Sequence, residues 1–194
     1  MSDTDLENSP AESAPAFPDA PRRGRGYEKR AVEAFLGHAR AAFELGDEST
    51  SMTSADIRHV AFPIVKRGYS IPAVDAALGR IEDAFAARER RLALSESGVG
   101  VWVGQTKETA QVVLDRLSRP RGHRFTRVNA LRYGYRIDEV DLVGDKICRY
   151  LETGDSVSVE QVRAVAFRMQ RGGYRETQVD AVLDAVVEVM LAVA

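Results

Sequence analysis

Residues Phe62–Ile81 read FPIVKRGYSIPAVDAALGRI, and the pattern of this stretch decides the fold. A Gly-Tyr pair comes first, and Val74 and Asp75 follow its tyrosine at offsets of five and six residues. Apolar residues then stand nine, twelve and sixteen residues after the tyrosine. Steps of four, three and four residues place these side chains on one face of an α-helix. The stretch therefore predicts a turn followed by an amphipathic helix.

The same pattern occurs four times along the chain. The turn motifs consist of Arg25, Gly26, Tyr27, Arg67, Gly68, Tyr69, Arg132, Gly134, Tyr135, Arg171, Gly173 and Tyr174, and the acids that follow them are Glu33, Asp75, Asp141 and Asp180. At the apolar position nine residues after the tyrosine, Gly144 stands where the other three copies have leucine. Recurrence at fixed spacing indicates a structural repeat.

The copies alternate between two types, A and B. A phenylalanine precedes the tyrosine by ten residues in the first and third copies and by seven in the second and fourth. Residues 51–85 and 156–190 share eleven identities without a gap, which indicates a duplicated A-B unit. The predicted organisation is a tail over 1–21, a first A-B pair over 22–94, a helix-containing linker over 95–124 and a second A-B pair over 125–194.

The predicted fold is all-α, with four short turn-plus-helix repeats and no substantial sheet. The tail holds five acids, four of the seven prolines and no base, so we expect it to be disordered. We expect a long helix over 72–94, a turn at 95–100 and a further helix that ends before Pro120. The last segment, 176–193, is apolar on more than one side. We therefore expect it either to lie in the core or to form a self-association or partner surface.

Each residue of the motif has a physical interpretation. The glycine permits a tight turn, including one with positive φ, and the tyrosine combines an apolar ring with a polar hydroxyl. The acid six residues later is expected near a helix N-terminus, where the helix dipole favours negative charge. The base just before each Gly-Tyr pair either forms an ion pair with that acid or stands as an exposed cation.

An R-G-Y turn followed by V-D/E-x-x-L resembles the N-terminal element of the DivIVA family, which organises bacterial poles and septa. The match is clearest over residues 62–81 and 168–186, and the A-B-linker-A-B order looks like the actinobacterial DivIVA-domain repeat proteins over residues 17–194. The resemblance implies a scaffold that binds curved membranes and recruits division or tip-growth proteins. The phenylalanine that the family inserts into lipid just before Arg-Gly-Tyr is absent from all four copies, and a long heptad array is absent too.

The expected function is therefore that of a non-enzymatic, DivIVA-like scaffold or adaptor in bacterial cell division or polar growth, with protein partners. We expect a cytoplasmic location at the cell pole or septum, and the sequence leaves homo-oligomerisation open. The alternative is a peripheral binder of anionic membrane, with weak contact through the basic turns before the Gly-Tyr pairs.

Composition argues against several other classes of protein. With 27 Lys and Arg against 29 Asp and Glu, the chain lacks the basic excess that charge-driven nucleic-acid binding needs, so no nucleic acid is expected. One cysteine, Cys148, excludes an internal disulfide. His38, His59 and His123 have no ligand spacing relative to Cys148, and no nucleophile-base grouping is evident, so we expect no metal, no cofactor and no catalytic residue.

Overall fold

The computed structural model describes residues 16–45, 52–154 and 156–193. Over these ranges the protein is mostly helical, which confirms the coarse fold prediction. The described elements are β1 (Arg25–Tyr27), α1 (Lys29–Leu45), α2 (Ser54–Arg58), β2 (Ile64–Lys66), α3 (Ile71–Leu117), β3 (Tyr133–Tyr135), α4 (Ile137–Thr153), α5 (Val159–Arg163), β4 (Met169–Arg171) and α6 (Glu176–Val193). The four strands were not foreseen as strands, and each Gly-Tyr pair lies in one of them or begins two residues after the end of one.

The chain divides after Glu82 into two compact units, and each unit contains one A-type and one B-type motif. Unit 1 extends to Glu82, and unit 2 begins at Asp83. The division falls inside α3, ahead of residue 94, where the sequence places the end of the first A-B pair. The four-repeat arrangement of the DivIVA-domain proteins stays a prediction.

Unit 1 is organised around the antiparallel pair of β1 and β2, in which Tyr27 lies opposite Ile64. Its central core consists of Val32, Tyr69 and Val74, with phenylalanine, tyrosine and leucine side chains packed around them. Helix α2 begins with a capping box, in which the Thr53 and Asp56 side chains each accept from the other residue's backbone N–H. Such a box satisfies two backbone donors at a helix start and fixes the entry of the short helix.

Unit 2 repeats this plan with β3 and β4, in which Tyr135 lies opposite Met169. Ser158 and Gln161 form the equivalent capping box at the start of α5. The core of unit 2 is larger and takes buried residues from α3, α4, α5 and α6. Helix α6 alone contributes Val179, Val186, Val187, Met190 and Leu191. Of the two interpretations of this apolar helix, the structure therefore supports the core.

Helix α3 contains a single interruption at Gly98, with φ 81° and ψ 161°. Such dihedrals are essentially restricted to glycine, so this residue sets the kink. The predicted turn over 95–100 is therefore wrong except at Gly98, and the residues around it are helical. The predicted stop before Pro120 is confirmed, because the helix ends at Leu117.

The predicted disordered tail lies partly outside the described residues, since residues 1–15 are not described. Phe17 and Ala20, in contrast, pack inside unit 1. The Phe17 ring contacts the Tyr69 ring edge-on at 5.4 Å, and Ala20 is buried and donates its N–H to the carbonyl of Gly68 at 2.8 Å. The ordered part therefore begins before Arg22, because two apolar residues among the prolines find partners that composition does not show.

Candidate functional site

The two Gly-Tyr motifs of each unit cross each other. In unit 1 the Tyr27 N–H donates to the Tyr69 carbonyl at 3.0 Å, and the Tyr69 N–H donates to the Tyr27 carbonyl at 2.8 Å. In unit 2, Tyr135 and Tyr174 exchange the same two bonds, both at 2.9 Å. Exchange of both backbone bonds defines a closely paired antiparallel contact. We call this contact the Gly-Tyr crossing.

The glycines are required because the two backbones approach too closely for any side chain. A Cβ atom built on Gly26 would overlap the Tyr69 carbonyl, and one built on Gly134 would overlap the Tyr174 carbonyl. Gly68 and Gly173 meet the partner motif in the same way. None of the four adopts the positive φ that a glycine at this position permits. Close approach, and not turn geometry, explains the motif.

Each motif tyrosine reaches across the crossing to an acid of the other motif. The Tyr69 hydroxyl donates to Glu33 at 2.5 Å, and the Tyr174 hydroxyl donates to Asp141 at 3.0 Å. Asp75 and Asp180 act on Tyr27 and Tyr135 in the same reciprocal way, because their carboxylates raise the pKa of those tyrosines. The four repeated acids thus interact with tyrosines from outside their own repeat. We call these contacts the Tyr–acid pairs.

The pKa values of all four tyrosines are raised. The hydrogen bond to Glu33 is the main cause for Tyr69, followed by burial. Burial is the main cause for Tyr27, Tyr135 and Tyr174, and a neighbouring carboxylate raises the pKa further in each. The hydroxyls therefore remain protonated donors at neutral pH. Burial also raises the pKa of Asp180, against the lowering effect of the Tyr135 hydrogen bond.

Of the two interpretations of the motif bases, ion pairing with these acids is wrong. Among the described residues, no ion pair joins Arg25, Arg67, Arg132 or Arg171 to the repeated acids. Each acid is also the fifth residue of its helix, beyond the first turn in which the helix dipole acts. The bases remain as exposed cations, and the Arg171 guanidinium lies 5.6 Å from the centre of the Tyr133 ring.

Unit 2 adds a buried ionic network that the sequence did not reveal. Arg124 is only 6% exposed, and its guanidinium donates to the Asp141 carbonyl at 2.6 Å and to the Arg119 carbonyl at 3.1 Å. It also forms an ion pair with Asp145. The Asp141 carboxylate accepts from the Gly122 N–H at 2.7 Å in addition to Tyr174. Arg124 thereby connects the loop before β3 to helix α4.

The same network explains why Gly144 departs from the repeat. A Cβ atom on Gly144 would lie 2.6 Å from a guanidinium nitrogen of Arg124 and 3.4 Å from the Leu117 side chain. The guanidinium therefore lies where the other copies have a leucine. The sequence showed the missing leucine, but nothing in it connected that gap to an arginine twenty residues earlier.

Replacing Gly144 with leucine is expected to lower the free energy of unfolding by about 1–3 kcal/mol, the usual cost of overpacking a filled site. The leucine and the Arg124 guanidinium cannot occupy the same space. The first repeat has Ala16 at the position of Arg124, so the matched variant is Gly144→Leu with Arg124→Ala. Urea denaturation of both single variants and the double variant would show whether the double loses less than the sum of the singles. Additive losses would contradict the shared space.

Acid is expected to weaken unit 2 through Asp145. Burial would raise the pKa of the Asp145 carboxyl. Hydrogen bonds from Arg124 and Arg121, together with the positive charges of these two residues, outweigh burial and lower the pKa. A lowered pKa in the folded state stabilises the protein above the unfolded pKa of about 3.9, and this contribution is lost as the pH falls through the folded value. Asp145→Asn should therefore flatten the stability profile below about pH 5, measured by urea denaturation, whereas Asp115→Asn outside the network should not.

Few groups at the site are available for chemistry. A shallow pocket of about 520 Å³ opens beside Asp141 and is lined by Arg121, Gly122, Arg136, Ile137, Asp138, Asp141 and Gln170. Both carboxylate oxygens of Asp141 already accept hydrogen bonds. Within the described residues, no three His, Cys, Asp or Glu side chains are placed to hold a metal ion. No described helix combines the length and the apolar character that crossing a membrane requires.

Comparison with known proteins identified no similar protein. A scan against protein-family models, a search of curated proteins and a search of solved structures each found no match. The resemblance to the DivIVA family therefore rests on the motif residues alone.

Proposed function

We propose that the protein is a non-enzymatic scaffold or adaptor that serves bacterial cell division or polar growth through protein–protein contacts. The supporting observation is that the motif tyrosines interact with the motif acids inside each unit. These contacts hold the two motifs of a unit together. Recognition is therefore left to exposed side chains outside the Tyr–acid pairs, several of which lie on or next to the β3–β4 sheet.

The β3–β4 sheet carries the most suitable of these surfaces. Leu131 is 81% exposed and Tyr133 is 56% exposed, and Arg171 packs over the Tyr133 ring. Met169, on the neighbouring strand, is 45% exposed. Tyrosine, arginine and methionine are enriched at protein interfaces, and tyrosine and arginine dominate the residues with large binding energies. We call these four residues the β3–β4 surface.

Imaging of a fluorescently tagged chain in growing cells, combined with crosslinking, tests the proposal. The expected result is a polar or septal pattern and recovery of division or tip-growth proteins. The variant Leu131→Asp with Tyr133→Ala should lose the pattern, while Leu142→Asp, at an exposed leucine of α4, should keep it. A wild-type protein that is diffuse throughout the cell and recovers no such partner would overturn the proposal.

A second candidate function, binding of an anionic membrane surface, is favoured by a basic cluster in unit 1. The cluster consists of Arg22, Arg23, Arg25, Lys66 and Arg67, all exposed and none in an ion pair with a described residue. Arg25 lies directly opposite Lys66 across the two strands, an arrangement that like charges disfavour. An anionic surface would relieve this repulsion.

The backbone of Arg67 supports the same interpretation. Arg67 has φ 57°, in the left-handed region that costs a non-glycine residue about 1–2 kcal/mol. The equivalent residue of unit 2 is Gly172, with φ 65°, which adopts this region without that cost. A positively charged residue is thus held at a strained position where glycine would be more stable.

Sedimentation with anionic vesicles at near-physiological salt tests the second candidate. Wild-type protein should pellet, and Lys66→Gln with Arg67→Gly should reduce pelleting although Arg67→Gly relieves backbone strain. Lys146→Gln, an exposed base of α4, serves as the control and should leave pelleting unchanged. Equal pelleting of all three proteins, or none with wild type, would exclude the basic cluster as a membrane contact.

A further inference from the structure

Unit 2 contains a groove of about 560 Å³ that is formed by α4 and by α5 with its flanking residues. We call it the α4–α5 groove, and the residues that line it are Val143, Lys146, Ile147, Arg149, Ser156, Val157, Gln161, Val162 and Val165. Small-molecule sites have volumes of about 300–1,000 Å³, whereas a stable protein–protein interface takes about 20–30 residues from each partner. The size of the groove therefore favours a small ligand.

The floor of the groove is aliphatic. Ile147 and Val162 are buried members of the core of unit 2, and Val143 and Val157 are partly buried and packed against that core. Val165 completes the floor. Such a surface binds an alkyl chain by removing apolar area from water, and it offers the chain no polar partner.

The charge at the rim of the groove has one sign. Lys146 and Arg149 are exposed, and neither forms an ion pair with a described residue. They are three residues apart on α4 and therefore lie on one side of the helix. None of the described residues that line the groove is acidic. A guanidinium binds a carboxylate through two parallel hydrogen bonds, so the rim is suited to a carboxylate at the end of the chain.

Comparison of the two units shows that the groove is not a necessary part of the repeat. Phe35 occupies the position in unit 1 that Val143 occupies in unit 2, eight residues after the first motif tyrosine of the unit. The Phe35 ring packs edge-on against the Phe62 ring, with 5.7 Å between their centres. Unit 1 thus carries a larger side chain, held by an aromatic contact, where valine lines the groove of unit 2.

The polar residues of the groove also differ between the units. The positions of Lys146, Arg149 and Gln161 hold His38, Ala41 and Asp56 in unit 1. Unit 1 therefore has no lysine or arginine at these positions and has an acid instead. The small side chain and the two bases occur together in unit 2 only, although both units share the crossing and the capping box.

We propose that the α4–α5 groove binds a free aliphatic carboxylate. The alkyl chain lies on the aliphatic floor, and the carboxylate pairs with Arg149 and Lys146. From Val143 to Arg149 the groove follows α4 for about 9 Å, at about 1.5 Å per residue, which is close to the length of an eight-carbon chain. The inference goes beyond the scaffold function and does not depend on it, since the groove shares no residue with the β3–β4 surface.

Titration of the full chain with octanoate, followed by NMR of the valine and isoleucine methyl groups, tests the proposal. The shifts should saturate with concentration and should be largest at Val143, Ile147 and Val162. Octylammonium has the same chain and the opposite charge. It should bind about tenfold more weakly or less, because Lys146 and Arg149 repel it.

Two variants separate the contributions of the floor and the rim. Val143→Phe introduces the residue of unit 1 and should weaken octanoate binding about tenfold or more, because the ring takes the space of the alkyl chain. Lys146→Gln with Arg149→Gln changes only exposed side chains, so it tests the proposal even if Val143→Phe does not fold. It should weaken binding about fivefold, since each exposed ion pair contributes modestly.

Arg91→Gln with Lys107→Gln is the matched control, because it removes the same two charges from exposed positions of α3. It should leave octanoate binding unchanged. Shifts that do not saturate, or equal binding of octanoate and octylammonium, would overturn the proposal. Shifts of the groove methyl groups on dilution without octanoate would assign the groove to a second copy of the chain instead. Loss of crosslinked partner proteins in Val143→Phe, with no octanoate bound to wild type, would assign it to a partner segment.

Discussion

Replacing Gly134 with alanine should lower the free energy of unfolding by about 4 kcal/mol or more, which is exceptional for one methyl group. The new Cβ atom would overlap the carbonyl of Tyr174, and it would lie 3.1 Å from the carbonyl carbon of Gly173. Both neighbours are backbone atoms, so no side chain can rotate away. The two hydrogen bonds between Tyr135 and Tyr174 hold the crossing strands at this distance. Relief of the clash therefore requires the crossing to open.

Gly37 provides the matched control for this variant. It lies in α1, and a Cβ atom built on it would meet nothing within 4 Å. Gly37→Ala should therefore stabilise the protein by about 0.5–1 kcal/mol, because it removes the entropic cost of a glycine inside a helix. Urea denaturation followed by far-ultraviolet circular dichroism measures both variants. A loss of less than about 1 kcal/mol for Gly134→Ala would show that the crossing accommodates a side chain.

The four crossing glycines also show where sequence reasoning succeeds and where it stops. The spacing of Val74 and Leu78 after Tyr69 predicted the helix that follows each motif, because helical periodicity is a local property of the chain. The motif glycine was equally visible in the sequence, but the reason why a glycine is required at this position was not. Its partner is the carbonyl of a tyrosine some forty residues away, and no local pattern encodes such an approach.

The Tyr–acid pairs illustrate the same limit. The sequence placed Asp141 six residues after Tyr135 in one repeat, and the helix dipole and a nearby base were the local partners available to it. The structure gives it Tyr174, the tyrosine of the other motif. The sequence contains one signal for this arrangement. Each motif carries both a tyrosine and an acid, and the motifs occur in pairs, so the tyrosine of one motif can bind the acid of the other.

Replacing Glu82 with glutamine should also be strongly destabilising, by about 3–5 kcal/mol, because it removes one partner of a buried ion pair. Within unit 1 the Arg58 guanidinium forms an ion pair with Glu82 at 2.7 Å, and the two side chains are only 13% and 4% exposed. Taking two charges out of water is costly, and their attraction offsets this cost only while both are present. Removal of one partner is therefore far worse than removal of the pair.

An exposed ion pair of α1 supplies the control. The Arg40 guanidinium pairs with Glu44, also at 2.7 Å, but these two side chains are 79% and 59% exposed. Water replaces the lost contact at such a site, so Glu44→Gln should cost less than about 1 kcal/mol. The variant Glu82→Met with Arg58→Met should recover most of the loss, since apolar residues of similar size often replace a buried ion pair without penalty. Similar losses for Glu82→Gln and Glu44→Gln in urea denaturation would contradict the argument, because the two pairs have the same separation and differ in burial.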